Sequence, residues 1–129
     1  MKIVLDTNIM VSALINSNGI PGKIMALVLN GKIRILYDNR IIFEYIDVLS
    51  RKNFGFNDEI IYDVINYFRN DGEYINSGYS NSKFIDDTDK KFYEVFKSGE
   101  AEYLVTENIK RFPKEKKIII PGEFIEKYK

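Results

Sequence analysis

The run Lys2-Ile3-Val4-Leu5, stopped by Asp6-Thr7-Asn8, constrains the fold more than any other stretch of the chain. A short, unbroken, β-branched and apolar segment suits a strand covered on both faces, and such strands belong to parallel sheets packed between helices. The pattern then alternates. Ile9, Val11, Ala13, Leu14 and Ile15 predict a short helix that Asn16-Ser17-Asn18-Gly19 ends. Pro21 opens a second helix, in which Ile24, Leu27 and Val28 recur at helical spacing before the stop at Asn30-Gly31. Lys32 to Tyr37 reads as the next strand, and Asp38 or Asn39 as the cap of a third helix reaching about Arg51.

The second half repeats the alternation. Asn57 caps a helix with Ile60, Ile61, Val64, Ile65 and Phe68 on one side, ended by Asp71-Gly72. A weak strand at Glu73 to Ile75 and a polar loop at Gly78 to Lys83 lead to Asp86-Asp87-Thr88-Asp89 and a helix ending near Ser98-Gly99. Strands at Tyr103 to Thr106 and Lys117 to Ile120 flank a basic loop, and Pro121 opens a last short helix. The 129 residues, 45% hydrophobic, fill one core. The expected architecture is therefore a single domain over residues 1–129, α/β in class, a three-layer α/β/α sandwich around a mostly parallel sheet. Ile3-Val4-Leu5 is interrupted by Asp6 and Ile9 to Ile15 by Ser12, so neither a signal-peptide core nor a span of ~20 apolar residues is expected. A cytoplasmic protein without membrane contacts follows as the expectation.

The chain has no cysteine and no histidine. Disulfide frameworks, thiolate nucleophiles, Cys/His zinc sites and Ser-His-Asp arrangements are all excluded. Carboxylates and other oxygen ligands remain as the strong chemical groups. Nineteen basic residues balance nineteen acidic ones, so a polyanionic partner has to be held by a local patch.

In a parallel sheet, ligands sit beyond the carboxyl ends of the strands, where every strand delivers its following loop. Asp6 closes the first strand there, and Asn108 follows the strand ending at Thr106 by two positions. Each has a second reading, Asp6 as a helix cap and Asn108 as a turn residue. Glu44 interrupts the apolar band of Ile41, Tyr45 and Val48 on the third helix, unless it is a surface residue paired with Arg40 four positions back. Asp86 and Asp87 suit a helix start, where negative charge is favoured. Asp89, three before Phe92 and seven before Phe96, shares their inward row. Three carboxylates converging on one edge would repel and raise one another's pKa unless a cation neutralised them. An oxygen-only set suits Mg²⁺ or Mn²⁺, and through it phosphoryl chemistry.

These residues also carry a resemblance. The opening Ile3-Val4-Leu5-Asp6-Thr7-Asn8-Ile9, Glu44-Tyr45 with Val48-Leu49-Ser50-Arg51, Asp86-Asp87-Thr88-Asp89-Lys90-Lys91-Phe92 and Tyr103-Leu104-Val105-Thr106-Glu107-Asn108 resemble the PIN-domain ribonucleases. Arg111-Phe112-Pro113 and Ile120-Pro121-Gly122-Glu123-Phe124 fit the small single-domain group related to the VapC-type toxins of toxin-antitoxin systems. No single piece is specific; the ordered set is. The resemblance implies cleavage of single-stranded RNA at an acidic site holding Mg²⁺ or Mn²⁺, with Asp6, Glu44 and Asp89 as metal ligands. Asn108 stands at the fourth position, where many members carry Asp. Thr7 and Thr106 would orient carboxylates or water. A homodimer and a separately encoded antitoxin are further implications.

Substrate phosphates need positive partners, and Arg51-Lys52, Lys110-Arg111, Lys114, Lys116 and Lys117 are candidates unless they form only a solvated face. Two other functions compete with the ribonuclease. One is a catalytically inactive PIN-like module acting through RNA or antitoxin contacts. The other is a HAD-type phosphatase, which needs a second aspartate where this chain has Asn8.

Overall fold

Among the described residues five short strands, all parallel, lie in the order β3-β2-β1-β4-β5. They are β1 Lys2–Leu5, β2 Arg34–Tyr37, β3 Glu73–Tyr74, β4 Tyr103–Val105 and β5 Ile118–Ile119. The coordinates are those of a computed structural model, which describes residues 1–79, 84 and 86–129. Between β1 and β2 run α1 (Thr7–Ile15) and α2 (Ile20–Leu29); between β2 and β3, α3 (Asn39–Leu49) and α4 (Asp58–Asp71). A 3₁₀ turn at Asp87–Asp89 leads into α5 (Lys90–Ser98), a second at Ile109–Arg111 follows β4, and α6 (Pro121–Tyr128) closes the chain. The result is the expected three-layer α/β/α sandwich. Most of the expected loop at Gly78 to Lys83 lies outside the described residues, as does Ile85.

Strand β1 is central because its three apolar residues are fully buried, as a strand covered on both faces must be. It pairs with β2 through Lys2↔Arg34 and Ile3↔Ile35, and with β4 through Ile3↔Tyr103, Val4↔Leu104 and Leu5↔Val105. From β1 the chain builds outward to β2 and β3, then returns to the other side of β1 as β4. The crevice between the ends of β1 and β4 is the switch point of the sheet, the place where open α/β sheets bind their ligands.

The local signals mostly act as their chemistry requires. Asp38 Oδ1 accepts the Ile41 N–H at 3.0 Å and Asn57 Oδ1 the Glu59 N–H at 2.7 Å, so each caps its helix. Gly31 ends α2 with φ 76°, a backbone angle few other residues adopt. Asp6 departs from this pattern. It occupies the cap position of α1 but makes no capping hydrogen bond, which leaves its carboxylate for the crevice. Helix α5 packs on β1, β2 and β4, and so brings Asp89 at its start to the same edge.

Candidate active site

Asp6 and Thr106 face each other across the switch point. The Asp6 N–H extends the sheet ladder to the Val105 carbonyl at 3.0 Å, which fixes the side chain beside β4. The Thr106 hydroxyl, fully buried, donates to Asp6 Oδ2 at 2.7 Å and accepts the Asn108 N–H at 3.1 Å. Thr106 thus holds the Asp6 carboxylate by a hydrogen bond. Asn108 joins the network through its backbone, and the residue is otherwise exposed.

Glu44 reaches the edge from α3. Its neighbour Tyr45 is fully buried and donates its hydroxyl to the Leu5 carbonyl at 2.5 Å, pinning α3 against the end of β1. Glu44 accepts a hydrogen bond from the Thr7 hydroxyl and an ion pair from Lys91 Nζ at 2.7 Å. Arg40 is not its partner. That guanidinium instead meets Asp38 and Glu94, at 2.6 and 2.8 Å, and Ser77 Oγ at 2.9 Å. Alternation of apolar residues could show that Glu44 breaks a band, but only the packing of α5 on the sheet supplies Lys91.

Asp89 is 2% exposed and held by both arms of one guanidinium: Arg111 Nε donates to Oδ2 at 3.0 Å and Nη2 to Oδ1 at 2.7 Å. The fork geometry is the strong form of this contact. Arg111, expected on substrate phosphates, therefore sits inside the acidic cluster. Lys110 next to it is exposed. Arg51 stays outside. It lies seven residues beyond Glu44, about 10 Å along the helix direction, and pairs with Asp47 at 3.5 Å. Glu107, beside Asn108, accepts a hydrogen bond from Ser12 at 3.1 Å.

The electrostatics follow from burial. Withdrawal from water pushes the Asp6 carboxyl above its ordinary range; the Thr106 hydroxyl and the Arg111 charge pull it back only in part, and Glu44 adds to the push. Burial likewise raises Asp89, against the pull of Arg111 and with Asp6 adding to the rise. As the side chains stand, no group of three or more carboxylates among the described residues is close enough to hold a metal ion. Two side-chain cations, Arg111 on Asp89 and Lys91 on Glu44, occupy the cluster instead.

A family profile described as a PIN domain matches residues 2–110, a span that includes Asp6, Glu44, Asp89 and Asn108. The chain belongs to the PIN-domain family. PIN domains are generally nucleases, hydrolases of phosphodiester bonds, and this membership displaces the phosphatase reading that Asn8 already disfavoured. A protein of Methanocaldococcus jannaschii described as uncharacterized, MJ1680, is 31% identical over 148 residues, covering 99% of this chain and 92% of the relative. No solved structure matches. Among the described residues no helix of this PIN domain is long and apolar enough to cross a membrane.

Proposed function

We propose that this PIN domain is a Mg²⁺- or Mn²⁺-dependent endoribonuclease that cleaves single-stranded RNA, and that it serves as the toxin of a toxin-antitoxin pair with a separately encoded antitoxin. The observation that supports the reading is the edge at the ends of β1 and β4, where buried Asp6 feels the charge of half-buried Glu44 and buried Asp89 that of Asp6, with Lys91 on Glu44 and Arg111 on Asp89. The donor set is oxygen only, and the pairings with Lys91 and Arg111 are consistent with a site that draws positive charge. Asp6 and Asp89 would hold the ion with Glu44. When bound, it supplies charge neutralisation at phosphorus.

The chain's own residues do the rest. Thr106 holds Asp6 in one orientation, and Thr7 holds Glu44, leaving Glu44 to orient the attacking water. Water adds in line at phosphorus and the 3′ oxygen leaves with a proton, giving a 5′-phosphate and a 3′-hydroxyl. Arg111, once off Asp89, lies at the correct edge to meet a phosphate oxygen, and Lys110 beside it adds sequence-independent attraction. The cellular role in a toxin-antitoxin pair rests on the whole-chain resemblance to the small single-domain group.

A second reading is an inactive binding module, favoured by the two internal ion pairs that fill the acidic cluster. One experiment separates the two: cleavage of structured and unstructured RNA titrated with Mg²⁺ and Mn²⁺, run beside Asp6→Asn. Metal-dependent cleavage of the unstructured RNA, lost in the variant, is the result expected of the nuclease. RNA binding without cleavage at any metal concentration is the result expected of the module.

A further inference from the structure

The connection between β4 and β5 leaves the sheet at Thr106 and re-enters it at Ile118, and its curve encloses a cleft of about 440 Å³. That volume lies within the ~300–1,000 Å³ of small-molecule sites. Ile109, Phe112, Pro113 and Ile118 line it with apolar surface, and Lys110 and Lys114 line it with charge. Both lysines are exposed. Among the described residues neither meets a carboxylate in an ion pair, because the one acidic residue in the lining, Glu115, is taken by the Tyr93 hydroxyl and by Lys97 at 3.1 Å. Apolar walls with two unspent positive charges suit a nucleobase followed by its phosphate.

The opposite flank of the site has the reverse character. A cleft of about 340 Å³ beside α3 presents Arg40 together with the buried carboxylates of Asp38 and Glu94 that already bind it. The adjoining cleft of about 410 Å³ sets Arg40, Lys90 and Lys91 against Glu44, Asp87 and Glu94, three charges of each sign. Neither has positive charge to spare for a phosphate. A protein occupant of the β4–β5 cleft is disfavoured by size, since seven residues line it and stable protein interfaces use about 20–30 a side.

We propose that the cleft inside the 107–117 connection is a nucleotide subsite, taking the base of a nucleotide that flanks the cleaved phosphate against Ile109 and Pro113 and its phosphate on Lys110 and Lys114. The inference rests on the ribonuclease reading for its substrate class. Continuity supports it: Arg111, which holds Asp89, lies in the same 3₁₀ turn as Ile109 and Lys110. A strand of RNA seated here enters the catalytic crevice from the β4 side.

The test is binding read without cleavage. Fluorescence anisotropy in EDTA compares a labelled single-stranded RNA with the same oligonucleotide carrying abasic riboses, for the wild type and for Ile109→Ala/Pro113→Ala. The wild type is expected to prefer the base-containing RNA by about tenfold, the effect of burying one face of a base on apolar side chains, and the double variant to lose that preference while keeping its salt dependence. Lys110→Ala/Lys114→Ala is expected to keep the base preference and flatten the salt slope. Equal binding of both oligonucleotides by the wild type, or an undiminished preference in Ile109→Ala/Pro113→Ala, overturns the proposal; the second outcome would leave the cleft to a protein side chain. On the unmodified protein, adenosine 5′-monophosphate should shift the amide resonances of Ile109, Lys110 and Lys114, and shifts confined to other residues would also overturn it. Because no metal is present, failure here is separate from failure of metal-dependent cleavage.

Discussion

Thr106 and Asp6, one hundred positions apart in the chain, are joined by a 2.7 Å hydrogen bond inside the protein. The bond exists because β1 and β4 are neighbours in register, Leu5 beside Val105, so the residue after each strand meets the residue after the other. A buried carboxylate without such a donor would be costly. Thr106→Val should therefore destabilise the domain by about 1–3 kcal/mol and lower cleavage at least tenfold, whereas Thr106→Ser should retain both. Urea melts and initial rates check the pair; full activity in the valine variant would remove Thr106 from the machinery.

Asp6→Asn keeps an acceptor for the Thr106 hydroxyl but removes the charge. Cleavage should fall by about a hundredfold or more, and stability in the absence of metal should rise at pH 7. The sign follows from the raised carboxyl pKa in the folded state. Such a group favours folding fully below its unfolded value and loses that contribution as pH rises through the folded one. Where Asp6 is ionised the wild type carries the cost of a buried charge, and the variant carries none. Thermal melts in EDTA at pH 7 and pH 4 should show the gain shrinking at the lower pH. A variant that melts lower at pH 7 would mean that the charge helps to hold the fold.

Arg111→Gln removes the guanidinium fork from buried Asp89. Without metal the domain should lose about 3 kcal/mol, since a buried charge is left uncompensated. Mn²⁺ affinity should rise about tenfold, because the ion no longer displaces an internal competitor. Titration calorimetry reads the affinity directly. Unchanged affinity would show that Arg111 and the metal do not share Asp89.

Arg40 shares a cleft with Glu44 but pairs with carboxylates outside the acidic set. It joins Asp38, the cap of α3, to Glu94 in the middle of α5. Burial would lower its pKa, but hydrogen bonds with Glu94 and Asp38 hold it above its ordinary value. Arg40→Ala should cost about 1–3 kcal/mol with cleavage per folded molecule unchanged; Arg40→Lys should recover part of the loss. Denaturant midpoints and active-fraction assays separate the two effects, and a selective loss of cleavage would place Arg40 at the substrate.

Much of this arrangement is legible before folding. The β-branched runs at Ile3 and Ile35 and the alternation with amphipathic helices carry the parallel sheet, and a buried parallel sheet dictates the edge at which Asp6 and Thr106 meet. The partners of the charges are not legible in the same way. Arg40 is four residues from Glu44, yet the turn of α3 and the approach of α5 carry it to Asp38 and Glu94. Arg111 reads from the sequence as a phosphate contact or a solvated charge, and Lys91 has no partner there, because nothing in their local sequence tells that α5 and the 3₁₀ turn after β4 converge. Tyr45 reads as an ordinary core residue, since a hydroxyl seeking a strand carbonyl leaves no periodic trace. Spacing along one element is local, whereas the choice of ion-pair partner is decided by several elements packed together.

The pairing of β1 with β4 also bears on when this chain can begin to act. Its first strand finds one of its two neighbours only after Val105 has been made, and both Thr106 and Arg111 lie later still. Chains emerge from the ribosome N-terminus first, so the acidic residues at 6, 44 and 89 exist as polymer long before they exist as a crevice. Synthesis order thus sets when the crevice can assemble. A nascent chain with this topology has no assembled crevice until Arg111 has been made.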